Sequence, residues 1–309
     1  MNILLPTTIT DAMVQPGTSI PAVDTDSGEV AWASRAAYVI DDLRVYAGAV
    51  YSCVKAHSGS SITPDKDPTQ WLYKQPSNQR APFDDYLFTS ARRPGEIVYV
   101  LRVPFATGIS IQAIEGDRIE IAARSGTEDL IAPISKALWE QAFGEFEYLF
   151  SVLQQSTKFT VRDIPLRPDT TITIRVSRTI ATVDAAVGFI SVGQWRVLLA
   201  PEKTVGGTKF GAEAGTKVYG GLEKRNSDGT YKRVNGRVAS VISATVLISA
   251  KHAPLTDMLL KRIANIPVAI EASTLPQFSH LSTVGYVSGT VTSENVKHAS
   301  VAIKIEGNV

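Results

Sequence analysis

The side chains best placed by type and spacing to do chemistry lie within YAGAVYSCVKAHSGSSITPDKDPTQWLY, residues 46–73. Tyr46, Tyr51, Trp71 and Tyr73 carry flat aromatic rings, the side chains that can stack on the apolar face of a ligand. Trp71 has a competing role. With Trp32 it brackets the stretch, and the two indoles can pack a very small core. His57 can touch a ligand or move a proton, but a loop histidine more often holds its own loop together by hydrogen bonding. Cys53 stands on a strand-like run beside Ser52 and Val54, with no His or basic residue next to it to favour a thiolate. It reads as a buried, inert thiol.

Catalytic patterns are thin. Asp41-Asp42, Asp84-Asp85 and Glu145/Glu147 are carboxylates close in sequence, and glycoside hydrolysis uses two carboxyl groups. A glycosidase draws its pair from separate strands, whereas acids one or two apart are common on any surface. His57, His252, His280 and His298 are scattered and show no HxH or HExxH spacing, and one cysteine cannot build a Cys-based metal cluster. There is no GxSxG. TVGGTKFGAEAG (204–215) is rich in glycine but lacks GxxxxGK[ST]. The expectation is a protein that is not an enzyme, with no catalytic residues, no metal and no cofactor.

The elements that must position these residues are mostly strands. Short runs at 44–46 and 50–56 are joined by a turn at Ala47-Gly48. Alternating or β-branched runs follow at 96–103, 108–114, 118–123, 158–164 and 171–177, separated by turn signals such as Pro94-Gly95 and Arg167-Pro168-Asp169. Regular short strands punctuated this way suggest a β-sandwich. PISKALWEQAFGEFEYLF (133–150) interrupts them as a short helix running into a strand. Later, KVYGGLEKRNSDGTYKRVNGRV (217–238) reads as a hairpin turning at Asp228-Gly229, and 238–250 as a strongly β-branched strand. PLTDMLLKRIAN (254–265) is the best helix, with Leu255, Met258, Leu259, Arg262 and Ile263 on one face, and Asn265-Ile266-Pro267 stopping it. Strands return at 267–273, 281–294 and 299–309.

The expected fold is therefore all-β in the main and multi-domain. An N-terminal strand with an arm and linker occupies 1–30, a small three-stranded unit 31–76, a β-sandwich 77–192, and a C-terminal β block with a long hairpin and one helix 193–309. The arm and the hairpin, which carries Lys217, Lys224, Arg225, Lys232 and Arg233, are the features suited to reaching a neighbouring subunit.

Composition sets the outer limits. The 309 residues are 44% hydrophobic and 20% charged, ordinary for a globular protein with real cores. A net charge of +1 gives no bulk attraction to nucleic acid or to an anionic membrane. MNILLPTTIT has no basic residue ahead of its apolar stretch, unlike a signal peptide, and no apolar run is long enough for membrane insertion.

Two resemblances sharpen the reading. Trp32, Tyr38, Tyr46, Gly48, Tyr51, Cys53, Ala56-His57, Pro64 and Trp71 together resemble carbohydrate-binding modules of families 5 and 12, compact three-stranded units found in bacterial chitinases, and the resemblance implies that Tyr46, Tyr51, Trp71 and Tyr73 are candidate carbohydrate-binding residues that stack on pyranose rings. Where that pattern has Gly-Asp, this chain has Ile40-Asp41, and no aromatic stands in the run Ser60-Ser61-Ile62-Thr63 before Pro64. The whole layout is similar to structural tail proteins of long-tailed bacteriophages. That layout is the opening MNILLPTTITDAM, the chitin-binding-like insert, Pro76-Ser77-Asn78 followed by Phe83-Asp84, a β-sandwich, and a closing strand–helix–strand block. This second resemblance implies a virion component near the baseplate or tail tip, assembled in the bacterial cytoplasm. Its partners would be other tail proteins, further copies of itself in a trimer or hexamer, and a host surface glycan. The alternative is a non-catalytic protein that binds chitin or peptidoglycan.

Overall fold

The structure, a computed structural model, describes residues 1–139, 144–150, 154–198, 207–220, 222–225, 227–234 and 236–308. The protein is all-β in the main, with 48% of residues in strands, 13% in helices and, among the described residues, a single helix of substantial length. The chain forms two compact units and passes between them at 7/8, 106/107, 110/111 and 190/191. The expected divisions at 30/31 and 76/77 both lie inside one of these units.

The first unit holds residues 1–7, 107–110 and 191–309. Its strand Asn2–Pro6 pairs on one side with residues 193–197 and on the other with Val268–Glu271. Ser282–Ser293, His298–Gly307 and Arg237–Ser249 follow in antiparallel order, and Glu213–Tyr219 closes the row. Strand alternation sends Ile242, Val246, Val301, Ile303 and Ile305 into one core with Ile3, Ile270 and Val287. Residues 2–6 are therefore an interior strand, which corrects the expectation of a free N-terminal arm. Ile3 and Leu4 are fully buried, and such burial is worth about 1.5–3 kcal/mol per side chain.

Helix α2, Ala253–Ile263, covers this core where a helix was expected, but with a different face. Thr256, Leu260 and Ile263 are buried at i, i+4, i+7 spacing, and Leu260 reaches the backbone at Gly289. Leu255 and Met258, expected inside, are both 66% exposed. The turn from the preceding strand is made by Ser249, whose Oγ accepts from the Lys251 N–H.

The second unit holds residues 8–106 and 111–190. Its central sheet runs Glu96–Arg102, Thr170–Ser177, Arg118–Ser125 and then Ile134–Ala137, all antiparallel. Ile97, Tyr99, Leu101, Ile119, Ile121, Ile172 and Ile174 supply the buried side. Tyr99 is fully buried and donates its hydroxyl to the Gln79 carbonyl at 3.0 Å. Residues 15–19, expected as linker, instead cover the edge of the 96–102 strand. Gln15 and Ser19 donate to the carbonyls of Val100 and Val98, and the Thr18 and Ser19 hydroxyls accept from Val100 and Val98 N–H groups. An open strand edge is satisfied this way.

Two further readings change. Residues 133–150 give a strand first, Ile134–Ala137, and then a helix, α1, Glu145–Phe150, the reverse of the expected order. The strand Asp184–Val197 was not foreseen. Nine of its residues in a row, 185–193, are buried, so it lacks the alternation that marks a one-sided strand. Gly193 is needed there because a Cβ would run into the Leu5 carbonyl of the neighbouring strand.

Candidate functional site

Three short strands, Leu43–Tyr46, Ala49–Cys53 and Trp71–Pro76, make the small sheet that positions the candidate residues. The hairpin turns at Ala47 and Gly48, both with positive φ, and side chains in strands alternate between faces. Register pairs Arg44 with Tyr51, Tyr51 with Tyr73, and Cys53 with Trp71. The two-residue period then puts Tyr46, Tyr51, Tyr73, Cys53 and Trp71 on one face.

That face has two parts. At one end Trp71 is 2% exposed and packs against Tyr38 and Cys53 in a miniature core. Its ring lies 4.9 Å from Tyr38 and 5.4 Å from His57, edge to face in both cases. A ring so enclosed has no face to offer a sugar, so Trp71 leaves the set of candidate platforms. Cys53 is fully buried beside it, and burial pushes its thiol up, away from the reactive thiolate. His57 Nδ1 lies 2.9 Å from the Lys55 carbonyl and ties down its own loop.

At the other end the face opens. Tyr73 is 55% exposed, with Tyr51 edge-on to it at 6.1 Å. Tyr46 is half-buried and held edge-on by Trp32 at 5.4 Å. Burial raises both the Tyr51 and Tyr73 phenols, and Asp65 adds to the effect at Tyr51 and Asp84 at Tyr73. The Tyr51 and Tyr73 phenols therefore stay neutral across the physiological range and can both donate to and accept from sugar hydroxyls.

Tyr86 also acts on the Tyr73 phenol, and its ring is exposed and tilted against Phe88 at 5.3 Å. Sequence reasoning did not select Tyr86. The signal was present in Phe83-Asp84-Asp85-Tyr86, immediately after the three-stranded unit. Asp84 holds this loop by accepting from the Tyr86 N–H at 2.8 Å and the Thr89 hydroxyl at 2.6 Å. Burial raises its carboxyl.

The opposite face of the small sheet carries Leu43, Val45 and Val50. With Glu29, Phe88 and Arg92 it lines a hollow of about 490 Å³. Its acids and amides are already engaged. Glu29 accepts from the N–H groups of Asp24 and Asn78, and Arg92 pairs with Glu115 at 2.8 Å.

The remaining carboxylate pairs stay apart from this face or serve the backbone. Asp42 accepts from Val39 N–H and pairs with Arg44 at 3.4 Å, and Asp41 occupies a turn with positive φ. Glu145 sits exposed on α1, and the Glu147 side chain lies outside the described residues. Among the described residues, no three His, Cys, Asp or Glu side chains gather as a metal site would require, and no helix is long and apolar enough to cross a membrane. Chemically, the open face can stack on a ring and exchange hydrogen bonds. No protein-family model matches the chain, and no curated protein matches it in sequence.

Proposed function

We propose that this protein is a structural subunit of a bacteriophage tail, at the baseplate or tail tip, which assembles as a closed ring and presents the 31–76 unit to a host surface glycan. The tail assignment rests on the layout of the whole sequence. The observation that carries the assembling role is the row-closing strand Glu213–Tyr219. Six of its seven residues are exposed, and it bonds to Arg237–Ser249 on one side only among the described residues. The hairpin continues past it through Leu222–Arg225 and Tyr231–Val234, with Gly229 at positive φ in the turn. An edge of this kind is a template for a strand from a neighbouring chain, and a closed ring leaves no such edge open.

The glycan-contacting part rests on the open tyrosine face. A single small face of this sort binds a sugar feebly, and several copies on one ring raise the effective affinity by avidity. The same face favours a second reading, a non-catalytic chitin- or peptidoglycan-binding protein with no place in a virion.

Immunogold electron microscopy on particles from the source lysate separates the two. Gold at the distal end of tails is the expected result. Bare particles with a reactive soluble fraction would sink the tail reading and leave glycan binding in front.

A further inference from the structure

Two exposed apolar surfaces match each other in shape class and in charge. The first is α1. Its sequence, EFEYLF, holds two glutamates and no basic residue. Phe146, Leu149 and Phe150 recur at i, i+3 and i+4, the spacing of one helix face. Phe146 and Phe150 touch each other at 5.1 Å yet remain 74% and 71% exposed, and Leu149 is exposed as well. A run of large apolar side chains left in water on one helix face marks an interaction site.

The second surface is the outer side of α2. Leu255 and Met258 on the helix and Val197 on the neighbouring strand line a groove of about 700 Å³. Among the described residues, Arg196, Arg262 and His252 also line it and no carboxylate does. Arg196 donates to the Gln194 amide oxygen at 3.1 Å, and among the described residues neither arginine pairs with a carboxylate. The groove therefore offers an apolar floor rimmed by two arginines that no described carboxylate neutralises, which suits a short acidic helix with aromatic and aliphatic anchors. Helix-in-groove recognition uses the same i, i+3, i+4 arrangement.

We infer that α1 of one copy docks into the α2 groove of another. Phe146, Leu149 and Phe150 would enter the groove, with Glu145 facing Arg196 or Arg262. The contact joins two different surfaces, so it is head-to-tail and propagates around a ring or along a filament. It rests on the self-assembling part of the function proposed above and not on the virion part. It is also separate from the strand edge at 213–219.

Sedimentation velocity of the full chain tests the contact at micromolar to tens-of-micromolar concentrations. Wild type is expected to form multimers. Leu149→Asp destroys the helix face and Met258→Asp destroys the groove. Each is expected to weaken this contact at least tenfold and lower the mean size of the assemblies, with the melting temperature unchanged because both positions are exposed. Mixing the two variants is the decisive step. Each retains one intact half, so the mixture should regain association that either variant alone has lost. Glu145→Arg should likewise disrupt assembly, and adding Arg262→Glu in the same chain should restore it.

Wild type that stays monomeric would overturn the inference, by showing that the groove takes another occupant or none. Multimers that ignore both aspartate substitutions would overturn it too, as would a mixture that associates no more than either variant alone. The tail reading fails by a different sign, the absence of gold on tails, so neither failure can be mistaken for the other.

Discussion

Tyr51 and Tyr73 face each other across adjacent strands with ring centroids 6.1 Å apart and ring planes at 80°. The edge of one ring meets the face of the other, an arrangement worth about 0.5–1.5 kcal/mol beyond the area it buries. One ring thereby braces the other in an upright position at the open end of the sheet. Removing Tyr73 takes away the exposed platform, and removing Tyr51 takes away its brace. Tyr73→Ala is expected to lower retention on insoluble chitin or peptidoglycan about tenfold, or about 1.4 kcal/mol. Tyr51→Phe keeps the brace and should stay near wild type. A pull-down series with both variants checks this, and equal binding by Tyr73→Ala would remove the face from consideration.

Trp71 behaves differently because it is the core of the same small sheet. Trp71→Ala leaves Tyr38, Cys53 and His57 around a void, and should destabilise the region by about 3–5 kcal/mol. Near-UV circular dichroism and thermal melting report it. Loss of glycan binding in this variant should coincide with loss of structure, whereas Tyr73→Ala should lose binding with its melt intact.

Leu260 and Gly285 test the other unit. Leu260→Ala empties the seat beneath α2 and should cost about 2–5 kcal/mol. At Gly285 any Cβ would run into the Glu306 carbonyl on the adjacent strand, so Gly285→Ala should disrupt the 282–293 pairing. Urea midpoints of the two variants give the measurement. An unchanged midpoint for Gly285→Ala would show that the two strands do not approach as described.

The sheet edge should be sensitive to acid. Glu306 pairs with Lys304 at 3.0 Å and Lys217 at 3.1 Å, and these partners hold its carboxyl down to about 2. A carboxylate with a folded-state value below its unfolded one, about 4.3, stabilises the fold above that unfolded value. The contribution is lost as pH falls from about 4 towards 2. Wild type should therefore lose more stability than Glu306→Gln over this window, and the two melting curves should converge at its lower end. High salt should shrink the difference, since all three side chains are well exposed.

Much of this architecture is legible in the sequence where a single local force dominates. Strands 96–102, 118–125 and 170–177 are buried on one side, so alternation reveals them. Asp228-Gly229 marks a hairpin because few other pairs accept its backbone angles. Where two surfaces compete, local pattern fails. Helix α2 carries apolar residues on more than one side. The face led by Leu255 and Met258 looked buried, while the actual seat uses Thr256, Leu260 and Ile263. Strand 184–197 is buried on both faces and so shows no alternation. The role of residues 15–19 depends on which strand edge needs covering, and that is fixed only by the tertiary fold. At the candidate site, spacing found Tyr46, Tyr51 and Tyr73, yet it could not tell the enclosed Trp71 from an exposed ring or bring in Tyr86.

The interior position of residues 2–6 has a consequence for biosynthesis. These residues leave the ribosome well before their partners at 193–197 and 268–271. At about 5–20 residues per second, Ile3 and Leu4 wait roughly 15–50 s for the second partner strand. During that interval an apolar strand has no sheet to join, and any chain released before Glu271 lacks it permanently. Truncated products should accumulate as aggregates, and holdase chaperones that shield this nascent strand should raise the yield of folded protein more than slower growth does.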